Sequence, residues 1–159
     1  MTLPECIIPL LKKISDRRDC KVEFWNELVG DELIDAFLEL SGELKLSEID
    51  EQSIPNGYIN LAYVFDWESH CQFSGWLAIE NNQDEMAKIL SCYRNVGLSS
   101  EADALEAAVK VWFSSNQDHD AVGAAYSAIA NEYSDEDKRF SYLAEYFSKN
   151  AKTLLYIST

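Results

Sequence analysis

Proline, glycine and histidine are all scarce in this chain, at three, six and two among 159 residues. With 47% hydrophobic and 12% aromatic residues beside them, so few backbone breakers exclude the disordered and low-complexity classes. No apolar run approaches the roughly 20 residues that a membrane span needs. Cys6, Cys20, Cys71 and Cys92 show no CxxC spacing, so neither a zinc site nor a redox pair is indicated. Four free thiols in a reducing cytoplasm are expected instead. The apolar stretch Met1–Leu11 comes before Lys12, Lys13, Arg17 and Arg18, the reverse of a signal peptide, so the expected location is cytoplasmic.

Basic residues are scarce as well. Thirteen Lys and Arg stand against 28 Asp and Glu, a net charge of −15, with +2 on residues 1–21, −20 on residues 22–137 and +3 on residues 138–159. Such a field repels nucleic acid, anionic lipid and anionic metabolites, and it speeds encounter with cationic proteins. The expected partner is a basic protein, with no direct nucleic-acid or membrane contact, no cofactor and no metal.

What is present is helical periodicity. Apolar residues recur at spacings of three and four almost throughout, and strand-like alternation is nearly absent. That pattern predicts an all-α fold, one compact domain of about seven to nine helices over residues 1–159. A chain of this length buries roughly 68–70% of its unfolded surface, enough for its own core. The predicted helices cover 4–15, 20–29, 31–41, 58–70, 73–81, 83–95, 100–114, 119–132 and 136–155. Gly30 is the expected left-handed stop, with Asp31 capping the next helix. Asn82, Ser99 or Ser100, and Ser134 are further expected caps, and Ser100 with Asp103 has the spacing of a capping box. Residues 47–57 hold a run of breakers that predicts an irregular loop. Trp25, Trp67, Trp112, Tyr126, Tyr133 and Tyr142 fall at helical spacing and are expected in the core.

One stretch concentrates the charge. Glu23, Glu27, Asp31, Asp35, Glu39 and Glu43 follow at steps of four, with Glu32 beside them. On a continuous helix the run from Glu23 to Glu39 drifts only about 160°, opposite an apolar stripe of Val22, Trp25, Val29, Leu33, Phe37 and Leu40. Like charges so spaced cost an isolated helix roughly 0.2–0.5 kcal/mol per pair, a density that solubility alone does not require. These seven carboxylates are the candidate partner-binding residues. Phe24, Leu28, Ile34 and Leu38 fall among them in angle, so either a partner covers these apolar anchors inside a polar rim or another helix of the same chain does. A domain of this length is about 40 Å across, the span of roughly 23 duplex phosphates, so the central charge is of the order needed to stand in for DNA. Carboxylates spread over every face for solubility are the alternative.

Residues 73–113 add a pattern: Phe73-Ser74-Gly75-Trp76, then Asn82, then Tyr93-Arg94-Asn95-Val96-Gly97-Leu98, then Ala104-Leu105-Glu106-Ala107-Ala108. That order resembles a bacterial family of acidic DNA-mimic proteins, formerly a domain of unknown function. The family has an Asn-Gly-Gly-aromatic turn, a downstream Asn, an Ile-Gly-Ala-like helix end and an Ala/Leu-rich helix. Gly75, Trp76, Asn82 and Gly97 match, whereas Phe73 and Ser74 stand in place of the Asn and the first Gly; the match covers about a quarter of the chain. The resemblance implies a helical protein, often dimeric, so a homodimer is left open. It also implies surface carboxylates that occupy the DNA-binding site of a transcription factor or other nucleic-acid-binding protein, and such a family resembles the small acidic immunity proteins that neutralise nuclease toxins. The matching residues themselves read as fold determinants: Gly75 for close packing, Trp76 for the core, Asn82 as a cap and Gly97 as a stop.

Catalytic signals are thin. Asp66 and His70 are four apart and can share a helix face, as a hydrogen-bonded pair or half a metal site. Neither His70 nor His119 follows a Glu by three, and there is no HExxH motif, nucleophile elbow or Gly-rich phosphate loop. His70 and Cys71 point about 100° apart on a helix and form no nucleophile-base pair. The expectation is a non-catalytic acidic protein that inhibits a basic, nucleic-acid-binding partner, as an immunity protein or a DNA mimic. A helical scaffold whose acidity serves solubility is the alternative.

Overall fold

The three- and four-residue periodicity resolves into nine α-helices without a strand in a computed structural model describing residues 1–159. They are α1 (Ile8–Asp16), α2 (Gly30–Leu46), α3 (Asn56–Ser74), α4 (Leu77–Asn81), α5 (Met86–Asn95), α6 (Ser99–Ser114), α7 (His119–Ser127), α8 (Glu136–Lys149) and α9 (Ala151–Leu154). The all-α expectation and its helix count agree with this architecture. The chain's contacts divide it into two compact units, residues 1–66 with 140–159 and residues 67–139, so the boundaries fall inside α3 and α8.

The first unit is built around a cluster of aromatic rings in mixed edge-on, tilted and stacked contact. Phe37 on α2 lies 5.2 Å from Phe24, 5.7 Å from Phe65 on α3 and 6.0 Å from Phe147 on α8, ring centre to ring centre. All four are fully buried. Against this cluster α1 packs on α2, burying Leu11 and Ile14. The start of α3 runs so close to α9 that a Cβ on Gly57 would sit 2.2 Å from the Leu154 carbonyl oxygen. Only glycine fits there.

The helix expected over residues 20–29 does not form. Phe24–Asn26 make one 3-10 turn, and Val29 is extended at φ −139° and ψ 162°. Phe24 and Trp25 are neighbours in sequence and both are buried, with their rings 5.2 Å apart; turning both inward outweighs continuing a helix. Gly30 does adopt a left-handed φ of +58°, but as the first residue of α2, with Asp31 in the first turn rather than capping it. Residues 47–55 are irregular apart from the 3-10 turn Glu51–Ser53, whose backbone is capped by Asp50 through Gln52 N at 3.1 Å.

In the second unit α6 packs against α5 and α7. Gly97 ends α5 as expected: at φ +85° it lets Leu98 N–H reach the Tyr93 carbonyl at 2.9 Å and its own N–H reach that of Arg94 at 3.1 Å, a Schellman closure. Gly75 ends α3 by a single bond from its N–H to the Cys71 carbonyl at 2.9 Å, with φ +53° and open space where a Cβ would stand. Its conformation, not close packing, is what requires glycine.

Several expected caps are replaced by neighbours. Leu98, not a serine, precedes α6, and Asp103 pairs with Arg94 at 2.7 Å instead of closing a capping box. Asp135 rather than Ser134 caps α8, accepting from Asp137 N at 2.8 Å. Asn82 precedes a 3-10 turn without capping it; its amide donates to the Ala78 carbonyl at 2.8 Å. Asp118 caps α7, accepting from Asp120 N at 3.0 Å and Ala121 N at 3.2 Å. No helix is long and apolar enough to cross a membrane.

Candidate functional site

The seven carboxylates expected to form one face do not share one element. Glu23 and Glu27 belong to the turn before α2, and the extended Val29 separates them from Asp31, Glu32, Asp35, Glu39 and Glu43 on the helix itself. Basic residues of α1 and of the turn after it occupy the far end of the stripe: Lys13 pairs with Glu43 at 2.5 Å, and Arg17 and Arg18 with Glu39 at 2.5 and 2.6 Å. Glu23 accepts the Tyr156 hydroxyl, and Glu27 stands 3.7 Å from Lys21. Asp31, Glu32 and Asp35 remain exposed and make no ion pair or side-chain hydrogen bond. Two of them, Asp31 and Glu32, sit in the first turn of α2, where carboxylates complement the helix dipole. Of the apolar residues interleaved with the stripe, Phe24 is fully buried within the unit, and Leu28, Ile34 and Leu38 are half-buried.

A second arrangement lies wholly within residues 67–139: a pocket of about 310 Å3. Trp67, Trp76, Leu105 and Tyr126 supply apolar wall, with the Trp76 and Tyr126 rings 5.5 Å apart. Trp67 is buried in the core as expected. Trp76 and Tyr126 are half-exposed, and line the pocket rather than filling the core.

Beneath the aromatic wall is a buried ionic network. Glu68 is 1% exposed and takes Arg139 in a fork, Nε to Oε1 at 2.8 Å and Nη2 to Oε2 at 3.1 Å. The hydroxyl of Tyr93 also donates to Glu68. Arg139 Nη1 donates to the Tyr133 and Ser134 carbonyls, each at 2.9 Å. Glu101, 4% exposed, accepts the Tyr133 backbone N–H at 2.8 Å. Glu136 completes the lining, and its Oε1 is buried with no hydrogen-bond partner.

The network sets the protonation of its neighbours. Burial and then the charge of Glu68 push the Tyr93 phenol well up. Burial pushes the Cys71 thiol up, with Glu68 adding to the shift and Arg139 opposing it. The net effect favours the neutral thiol of Cys71 over its thiolate. Burial alone would loosen the Arg139 proton, but the hydrogen bonds and charge of Glu68 more than offset it and hold the guanidinium more firmly charged.

His70 Nδ1 lies 3.2 Å from Asn82 Oδ1, and the His119 ring meets Trp112 edge-on at 5.3 Å. No group of three His, Cys, Asp or Glu side chains is placed to hold a metal ion.

Two buried carboxylates left a trace in the sequence. Glu68 continues the apolar face Leu61, Val64 and Phe65 at helical spacing, and Glu101 interrupts Leu98, Ala104, Leu105 and Ala108 in the same way. A carboxylate on an apolar face needs a buried partner. No family model, curated protein or solved structure matches the chain.

Proposed function

We propose that the chain is a non-catalytic acidic binding protein that inhibits a basic, nucleic-acid-binding partner, as a DNA mimic or as an immunity protein against a nuclease-like toxin. The observation that carries this reading is the start of α2, where Asp31, Glu32 and Asp35 are exposed and unpaired beside Val29, which is 78% exposed. Exposed carboxylates close in sequence to an exposed apolar residue give this end of α2 the polar character of an interface rim. Carboxylates left without internal partners are available to the Lys and Arg that otherwise meet phosphates. The resemblance of residues 73–113 to acidic DNA-mimic proteins supports the same reading. Glu23, Glu27, Glu39 and Glu43 enter it as contributors to the field rather than as free contacts.

The test starts from capture of a basic protein from the native cell and measures association of the purified pair across ionic strength. The expected rate falls steeply with salt, and Asp31→Lys, Glu32→Lys and Asp35→Lys together weaken binding about tenfold or more. A rate indifferent to salt overturns the electrostatic mechanism. Displacement of a DNA probe from the partner distinguishes a mimic from a binder elsewhere.

A second reading, a helical scaffold whose acidity serves solubility, is favoured by one observation. The charge is spread nearly evenly, with 15 acidic against eight basic residues in the first unit and 13 against five in the second. Failure to retain any basic protein would favour it.

A further inference from the structure

We propose that the pocket of the second unit binds a small organic cation: an ammonium or guanidinium head on an apolar stem. This rests on the pocket alone and is independent of the acidic surface of α2.

Arg139 is the one cation in the lining, and four of its five N–H groups already donate, Nε and one of Nη2 to Glu68 and both of Nη1 to two carbonyls. It has no free fork for a carboxylate or phosphate. The phenol of Tyr93 is likewise committed to Glu68. Among the lining residues, the one buried side-chain nitrogen or oxygen without a partner is an acceptor, Glu136 Oε1.

Charge points the same way. Glu68, Glu101 and Glu136 line the space against the single guanidinium, leaving an excess of two negative charges, and Glu68 and Glu101 are almost wholly buried. Those two have partners, but the buried Oε1 of the half-buried Glu136 has none, and a buried acceptor left unpaired is costly. An entering cation satisfies it; an entering anion makes it worse. Trp67, Trp76 and Tyr126 add aromatic rings that attract a cation held over their faces and an apolar wall for its stem. At about 310 Å3 the space is at the lower end of small-ligand sites, the size of an amine with a short chain. The same head and stem occur in a free amine and in a lysine side chain.

The test titrates the purified full chain with n-butylammonium and, in a second arm, with N-acetyl-lysine methylamide, following the indole N–H resonances of Trp67 and Trp76 at constant ionic strength. Butyrate is the anionic control. Saturable shifts with butylammonium and none with butyrate are expected. Glu136→Gln and, separately, Trp76→Leu should each weaken the binding about tenfold or more with an unchanged helical spectrum, whereas the surface change Glu145→Gln, which removes the same charge, should not. Binding in the first arm alone identifies a free amine as the source, and binding in both identifies a head that a protein side chain can also deliver. Absence of saturable shifts in both arms overturns the proposal, as does equal binding of butyrate or full binding by Glu136→Gln.

Discussion

Tyr58 carries a hydroxyl that nothing in the fold uses. The side chain is fully buried, and its oxygen has no hydrogen-bond partner. Its phenol is pushed well up, by burial first and by Tyr156 second. An unsatisfied buried hydroxyl costs about 1–3 kcal/mol, so Tyr58→Phe should leave the protein as stable or gain up to about 1 kcal/mol, read as a higher urea midpoint at unchanged slope. A loss of stability would mean that the hydroxyl has a partner. Glu68 is the opposite case, a carboxylate as deeply buried but held by a fork from Arg139 and by Tyr93. The difference between the two residues lies in the partners, not in the depth.

At the scale of elements, caps decide where the short helices of the second unit stop and start. α7 is nine residues long and its first turn rests on Asp118 Oδ1. Asp118→Ala should cost about 1 kcal/mol, visible as a lower thermal midpoint; an unchanged midpoint would show that packing alone sets the start of α7. Such local devices separate what was legible in the sequence from what was not. α6 was legible almost to the residue, expected over 100–114 and found over Ser99–Ser114, because Ala104, Leu105, Ala108 and Trp112 state its period without interruption. Residues 20–29 were misread because Trp25 and Val29 fit a helical period that the burial of Phe24 beside Trp25 overrides. The acidic stripe was legible as charge but not as a surface, since the pairing of Glu39 and Glu43 with α1 depends on a packing that residue spacing does not encode. The pocket was least legible: Glu68 and Arg139 are 71 residues apart, and only folding brings them together.

For the whole molecule, the raised phenols and thiol make a joint statement about pH. Tyr58, Tyr93, Tyr126 and Cys71 all hold their protons more tightly in the fold than at their ordinary values of 10 and 9. Tyr156 joins them, pushed up to about 12 by burial first and then by its hydrogen bond to Glu23. A proton bound more tightly when folded contributes stability that is complete below the unfolded pKa and is lost as pH rises through the folded one. The thermal midpoint should therefore show no loss from these groups below pH 9 and fall above pH 10, with Tyr156 contributing its share near pH 12. A midpoint insensitive to pH between 10 and 12 would contradict the burial of these phenols.

The clasp between Glu68 and Arg139 also bears on how the chain is made. The second unit is one continuous segment, residues 67–139, and its last residue is the one that grips Glu68. All of its residues are present once Arg139 has been added to the growing chain. The first unit still lacks Phe140 and Phe147 at that moment, so the cluster of Phe24, Phe37 and Phe65 is without the two rings that α8 supplies. The first unit is therefore the discontinuous one, and its core cannot close until residues on both sides of the second unit in the sequence have been made.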